Sequence, residues 1–100
     1  MAIVMINVIP LGTGDSSVSK YVARAVKVLQ QENVSYEATP MGTALEGELD
    51  DILPICRKMH DAVFGEDIGR VVTIMSIDDR RDKQSTMTGK MQALEKELAK

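Results

Sequence analysis

Val34-Ser-Tyr-Glu-Ala-Thr-Pro-Met-Gly-Thr-Ala-Leu-Glu-Gly47 decides the fold. Its first part alternates, with Val34, Tyr36 and Ala38 on one face and Ser35, Glu37 and Thr39 on the other. That is the period of a half-buried strand. Pro40-Met41-Gly42 supplies a turn or bulge. Thr43 to Glu46 reads as a short return strand, closed by Gly47. Two strands joined this tightly make an antiparallel hairpin.

A helical pattern stands on each side of the hairpin. Before it, Val18, Tyr21, Val22, Ala25, Val26 and Leu29 fall on one apolar face, while Lys20, Arg24, Lys27 and Gln31 fall mainly on the other. Asp15, Ser16 or Ser17 is placed to cap this helix, and Asn33 ends it. After the hairpin, a helix from about Leu49 to Phe64 presents Leu49, Ile52, Leu53, Cys56, Met59, Val63 and Phe64. Pro54 predicts a kink near its first turn. Gly65 and Gly69 bracket the exit loop.

Further out, Ala2 to Ile9 and Arg70 to Asp78 are rich in β-branched residues and read as strands, the first ending at Pro10. Leu11 to Ser17 forms a loop, and Asp78 to Lys83 a charged one. A last helix runs from about Thr86 to Leu98. The order β-α-β-β-α-β-α predicts an α+β, ferredoxin-like domain over residues 1–100. It has a four-stranded antiparallel sheet, both main helices on one face, and an added C-terminal helix.

The other face of the sheet is informative. In the first strand Val4, Ile6 and Val8 point one way, and Ile3, Met5 and Ile9 the other, with Asn7 the one polar residue. The last strand repeats the pattern, Val72 and Ile74 opposing Val71, Thr73, Met75 and Ile77. A monomer would show water an apolar patch of the kind that marks an interface or a groove. The last helix adds Met87, Met91, Leu94 and Leu98 in a heptad-like stripe, which suits either packing on its own domain or assembly. A homo-oligomer is the expectation.

Composition narrows the function. The chain has 100 residues, a net charge of -3 and three aromatics without Trp. It therefore lacks the basic surface and stacking residues of a nucleic-acid binder. The apolar run Ala2 to Ile9 is too short to span a bilayer, and no signal-peptide pattern is present, so no membrane partner is expected. A lone cysteine suits a reducing, cytoplasmic setting.

Candidate chemistry is sparse. Gly12 to Ser17 resembles a phosphate cradle without the Lys-Ser/Thr ending of a Walker loop, and reads as a capped helix start. An acylphosphatase-like site would want an arginine in that loop, and none is there. Cys56 and His60 share a helix side but lack the further ligands of a zinc site and an orienting group for a nucleophile. A buried thiol beside a boundary histidine is the expectation. Asp78 to Asp82 reads as a solvated loop, with Arg80 and Arg81 as weak phosphate candidates. No catalytic residue and no metal site is predicted. Asn7, Glu37, Thr39, Thr43 and Glu46 stand among apolar strand neighbours, as a small-ligand pocket requires. Glu46 reads either as a ligand carboxylate beside a groove or as a solvated strand end.

Pro10-Leu-Gly-Thr13, Ser17, Tyr21-Val-Ala23, Tyr36, Pro40-Met-Gly-Thr43 with Glu46-Gly47, and Gly69-Arg-Val71 together resemble the thiamine-binding domain family, the YkoF-like group. The similarity runs from the first strand through the last helix. It implies a ferredoxin-like fold assembled into dimers and tetramers, a dimer of dimers. It also implies non-enzymatic binding of thiamine or its hydroxymethylpyrimidine moiety, with no cofactor besides that ligand. The ligand residues it suggests are Asn7, Ser17, Thr39, Met41, Thr43 and Glu46. Asn7, Thr39 and Thr43 would hydrogen-bond, and Glu46 would pair with the aminopyrimidine or the thiazolium. Met5, Met41 and Met75 would give polarizable contacts, and Tyr36 and Phe64 would belong to the core. The alternative is an oligomeric regulatory domain sensing another small metabolite, such as an amino acid.

Overall fold

The computed structural model describes residues 1–14, 19–82 and 86–100. The elements are β1 (Ala2–Leu11), α1 (Ser19–Gln31), β2 (Ser35–Thr39), β3 (Gly42–Gly47), α2 (Leu49–Val63), β4 (Arg70–Asp79) and α3 (Met87–Leu98). One antiparallel sheet has the order β2-β3-β1-β4. This is the ferredoxin-like arrangement expected from the order of elements.

Register sets the two faces. Ile6 stands opposite Thr43 of β3 and Met75 of β4, while Asn7 stands opposite Ile74. Val4, Ile6 and Val8 of β1 therefore enter one core with Leu45 of β3. Tyr21, Ala25 and Leu29 of α1 and Ile52, Ile55, Cys56, Met59 and Val63 of α2 close it. Each fully buried Leu or Ile contributes about 1.5–3 kcal/mol by leaving water. The opposite face carries Ile3, Met5, Asn7 and Ile9 of β1 beside Val72 and Ile74 of β4, and neither main helix covers it.

Several local expectations need correction. Pro10 does not end β1, which continues to Leu11 with Pro10 opposite Val71. The β1–β3 ladder stops at Ile6, so beyond it β1 has a strand on one side only. A residue without an N–H is tolerated there. In α2, Leu53 is exposed and Ile55 is buried in its place. α2 lies against α1 and the sheet together, so its buried stripe is wider than a single-face pattern predicts. Phe64 is exposed just beyond α2, edge-on to His60 at 5.3 Å between ring centres. Tyr36 does pack against the core. Pro54 lies inside α2, which continues across it. The candidate caps Asp15, Ser16 and Ser17, and Val18 on the predicted helix face, lie outside the described residues.

α3 has no buried residue. Thr86 caps it by accepting from Gly89 N at 2.9 Å. Two contacts tie its first turn to the open face: Met87 N donates to Glu46 Oε2 at 2.8 Å, and Lys90 pairs with Asp78. No helix among the described residues is long and apolar enough to cross a membrane.

Candidate functional site: a cavity under the hairpin turn

A cavity of about 190 Å³ opens where β1 runs past the end of β3. Its walls are the second half of β1, Val22 and Val26 of α1, Met59 of α2, and the turn from Thr39 to Thr43. The geometry follows from the sheet. β3 turns back into β2 at Gly42, while β1 continues five residues beyond Ile6, through Pro10 to Leu11, with β4 alone. α1 crosses above this gap. Val22 is exposed although it lies on the predicted core face of α1, because it walls the cavity instead of filling the core.

The turn is fixed by three side-chain features. Thr39 Oγ1 donates to Gly42 O at 2.7 Å and accepts from Met41 N at 3.2 Å. The Asn7 side-chain amide, oriented so that every partner is complementary, donates to Met41 O at 2.7 Å and to Ile6 O at 3.3 Å. Gly42 has φ 146°, and a Cβ there would fall on the Asn7 amide and lie 2.9 Å from Met5 Sδ. Only glycine allows the turn to sit this close to β1.

Thr43 differs from these. It is 6% exposed, lines the cavity from β3, and points to the helix side of the sheet with Leu45. Its hydroxyl makes no hydrogen bond among the described residues. No side-chain oxygen or nitrogen described is both fully enclosed and unpaired, so this hydroxyl opens onto the cavity. It can donate one hydrogen bond and accept two. Met41, 82% exposed, stands at the mouth.

Of the six residues suggested as ligand contacts, Asn7, Thr39, Met41 and Thr43 line this one cavity. The Asn7 amide nitrogen and Thr39 Oγ1 are engaged in the turn. Glu46 is not among the cavity residues. It stands on the open face, where Oε1 accepts from Ser35 Oγ at 3.1 Å and Oε2 holds Met87 N. Ser17 lies outside the described residues. Met5 and Met75 do not line the cavity either: Met5 stands on the open face and Met75 on β4. The walls Val22, Val26, Pro40 and Met59 carry no chemical signature in the sequence; their apolar character points equally to core.

The other candidates resolve as structure. Cys56 is buried, and burial pushes its thiol pKa up. His60 Nδ1 lies 2.5 Å from Thr73 Oγ1. Arg80 pairs with Asp82, and Arg81 with Asp79. No group of three or more metal-ligating residues occurs among the described residues.

A family model described as thiamine-binding protein matches residues 4–95. The UPF0045 protein YqgV of Bacillus subtilis is 41% identical over 98% of both chains. The crystal structure of the protein MJ1052 of Methanocaldococcus jannaschii superposes with a TM-score of 0.85 and 39% identity, covering 94% of this chain and 95% of that one. A candidate thiamine biosynthesis/salvage protein of Thermotoga maritima shares the fold at a TM-score of 0.77 and 22% identity, over 93% of this chain and 97% of that one.

Proposed function

The chain belongs to the thiamine-binding protein family, and from that premise we propose that it binds thiamine by the hydroxymethylpyrimidine half, in the cavity beneath the hairpin turn, as a homo-oligomer. The observation that carries the reading is the hydroxyl of the largely buried Thr43, which faces a mostly apolar cavity and has no hydrogen-bond partner among the described residues. A hydroxyl that opens into such a cavity has donor and acceptor capacity left for a ligand there.

Size supports a one-ring fit. An apolar cavity of about 150 Å³ holds a benzene ring. The 190 Å³ here suits one substituted six-membered ring. The thiazolium would then sit at the mouth beside Met41, whose thioether suits contact with a ring. Thr43 would meet the ring nitrogen or the amino group. Asn7 and Thr39 would act by holding the turn, through the Asn7 amide nitrogen and Thr39 Oγ1. The role is binding without chemistry: the Cys56 thiol is buried, and His60 is directed at Thr73.

Self-association is supported by area. The chain exposes 6836 Å². A compact monomer of its mass exposes about 5,600 Å². The surplus of roughly 1,200 Å² is in the range that each partner of a stable homodimer buries.

Calorimetric titration with hydroxymethylpyrimidine and with thiamine tests the ligand. Saturable binding near one site per chain is expected, weakened about tenfold by Thr43→Val. Absence of both heat and thermal shift with either compound would sink the proposal.

A further inference from the structure

The edge of β1 beneath the hairpin turn carries polar groups that no side chain announces. Partners in an antiparallel ladder either exchange both backbone hydrogen bonds or exchange none, alternately along the strand. Thr39 and Gly42 are partners at the end of the β2–β3 ladder. The unbonded arrangement there would need an N–H on Pro40, which proline lacks. Thr39 and Gly42 are therefore a bonded pair, and Gly42 directs its N–H and C=O at β2. Thr43, the next residue, directs its own at β1, where Ile6 stands opposite. Beyond Ile6 the direction alternates along β1. Asn7 and Ile9 turn toward β4, opposite Ile74 and Val72, while Val8 and Pro10 turn the other way.

On that other side β3 has ended. Had it run on in register, Met41 would stand opposite Val8. Instead Met41 N donates to Thr39 Oγ1, and Met41 O accepts from the Asn7 amide. No turn or loop group among the described residues bonds Val8 N or O. Val8 thus presents one donor and one acceptor, side by side, to the gap, and it lines the cavity with Pro10. Pro10 adds a carbonyl but no N–H, so the edge beyond Val8 only accepts. A further strand has no room here, because the turn from Thr39 to Thr43 walls the same space.

We propose that Val8 reads the ligand with its backbone, its N–H donating to a ring nitrogen and its C=O accepting from an amino group on the adjacent ring carbon. The inference rests on the pyrimidine reading above and names the feature of the ligand that the site selects. That feature is an amino group beside an unprotonated ring nitrogen. Two hydrogen bonds side by side fix the ring in its own plane, which one hydroxyl cannot do. The Thr43 hydroxyl is left for the second amino hydrogen or the remaining ring nitrogen. An oxo group in place of the amine reverses the pattern, since the ring nitrogen then carries the hydrogen. The Val8 N–H would meet an N–H, and its C=O a carbonyl oxygen. A site built to hydrogen-bond its ligand discriminates strongly against such a mismatch.

Amide exchange read by NMR on the full chain, beside calorimetry, tests this. In the free protein the Val8 amide should exchange roughly tenfold or more faster than those of Asn7 and Ile9, which the β4 ladder holds. Saturating hydroxymethylpyrimidine should slow Val8 by roughly tenfold or more and move its amide proton downfield. The 4-oxo analogue of hydroxymethylpyrimidine should bind roughly tenfold or more weakly. Thr43→Val should lower both affinities and keep that preference. Binding of hydroxymethylpyrimidine with Val8 exchange unchanged, or a preference lost in Thr43→Val, would overturn the backbone contact and leave the cavity as the site. A Val8 amide as slow as its neighbours before ligand is added would do the same, because its N–H would then have a protein partner. No heat and no thermal shift with hydroxymethylpyrimidine or thiamine would overturn both.

Discussion

Thr43 and Glu46 look alike in the sequence, each a polar residue on an apolar strand, and the structure gives them opposite employment. Residues 43 and 46 differ by an odd number, so they lie on opposite faces of β3. Thr43 faces the cavity and Glu46 the open face. Strand parity could have separated them, but nothing in so short a strand between two glycines says which parity faces the helices. Only the register against β1 does. Thr43→Val should leave the ligand-free protein within about 1 kcal/mol of wild type, because the hydroxyl it removes bonds nothing. Urea denaturation without ligand checks this, and a loss well beyond that value would mean the hydroxyl has a partner after all. Gly42→Ala is the opposite case. Its Cβ would fall on Asn7 at a φ that side chains rarely adopt, so a loss of about 1–3 kcal/mol is expected in the same assay.

Among the elements, the core helices and the hairpin were readable because their periods are local. What was not readable came from contacts between distant segments. The wide buried face of α2 depends on α1, and the survival of Pro10 in β1 depends on where β3 turns away. The anchoring of α3 is of this kind too, since Met87 N and Glu46 lie 41 positions apart. Glu46→Ala should speed amide exchange at Met87 and loosen the first turn of α3, while ligand affinity stays the same. A fall in affinity would instead return Glu46 to the binding site. Arg24 makes a similar long-range tie. It bonds Asp67 at 2.8 Å and the Val63 carbonyl at 3.3 Å, and lies over Tyr21, fastening α1 to the loop after α2. The hydrogen bond from Arg24 holds the Asp67 carboxyl below its usual pKa. A depressed carboxylate stabilises the fold at neutral pH, and that contribution is lost as pH falls through its folded value. Asp67→Asn should therefore flatten the acid side of the stability curve, measured as urea midpoints across pH. Both groups are solvent-exposed, so the change should be small.

At the scale of the molecule, the chain is longer than its residue count requires. Its radius of gyration is 15.2 Å, with extents of 50 × 30 × 20 Å. A compact domain of this length has about 13 Å. α3 accounts for part of the difference, since none of its residues is buried. Leu94→Glu should accordingly change the stability of a dilute sample by no more than about 0.5 kcal/mol. For an assembling chain, the midpoint of thermal unfolding should rise with protein concentration. Scanning calorimetry over a hundredfold concentration range tests this, and an invariant midpoint would argue for a monomer. The sequence showed that two apolar surfaces needed covering, but not which strand lies at the edge. Edge position follows from sheet order, which no local pattern encodes.

The pairing of β1 with β4 has a consequence for how the protein is made. β1 leaves the ribosome before β4, which flanks it from Ala2–Asp79 to Leu11–Arg70. Until Arg70 to Asp79 has cleared the exit tunnel, the nascent chain can assemble β1 only with the hairpin. One long side of β1 then stays bare, an apolar edge attached to a translating ribosome. Closing a loop of this length costs entropy before it gains contacts, so β4 joins β1 late in folding as well as after it in synthesis. Premature termination within α2 would release a fragment with that edge permanently open, prone to aggregation.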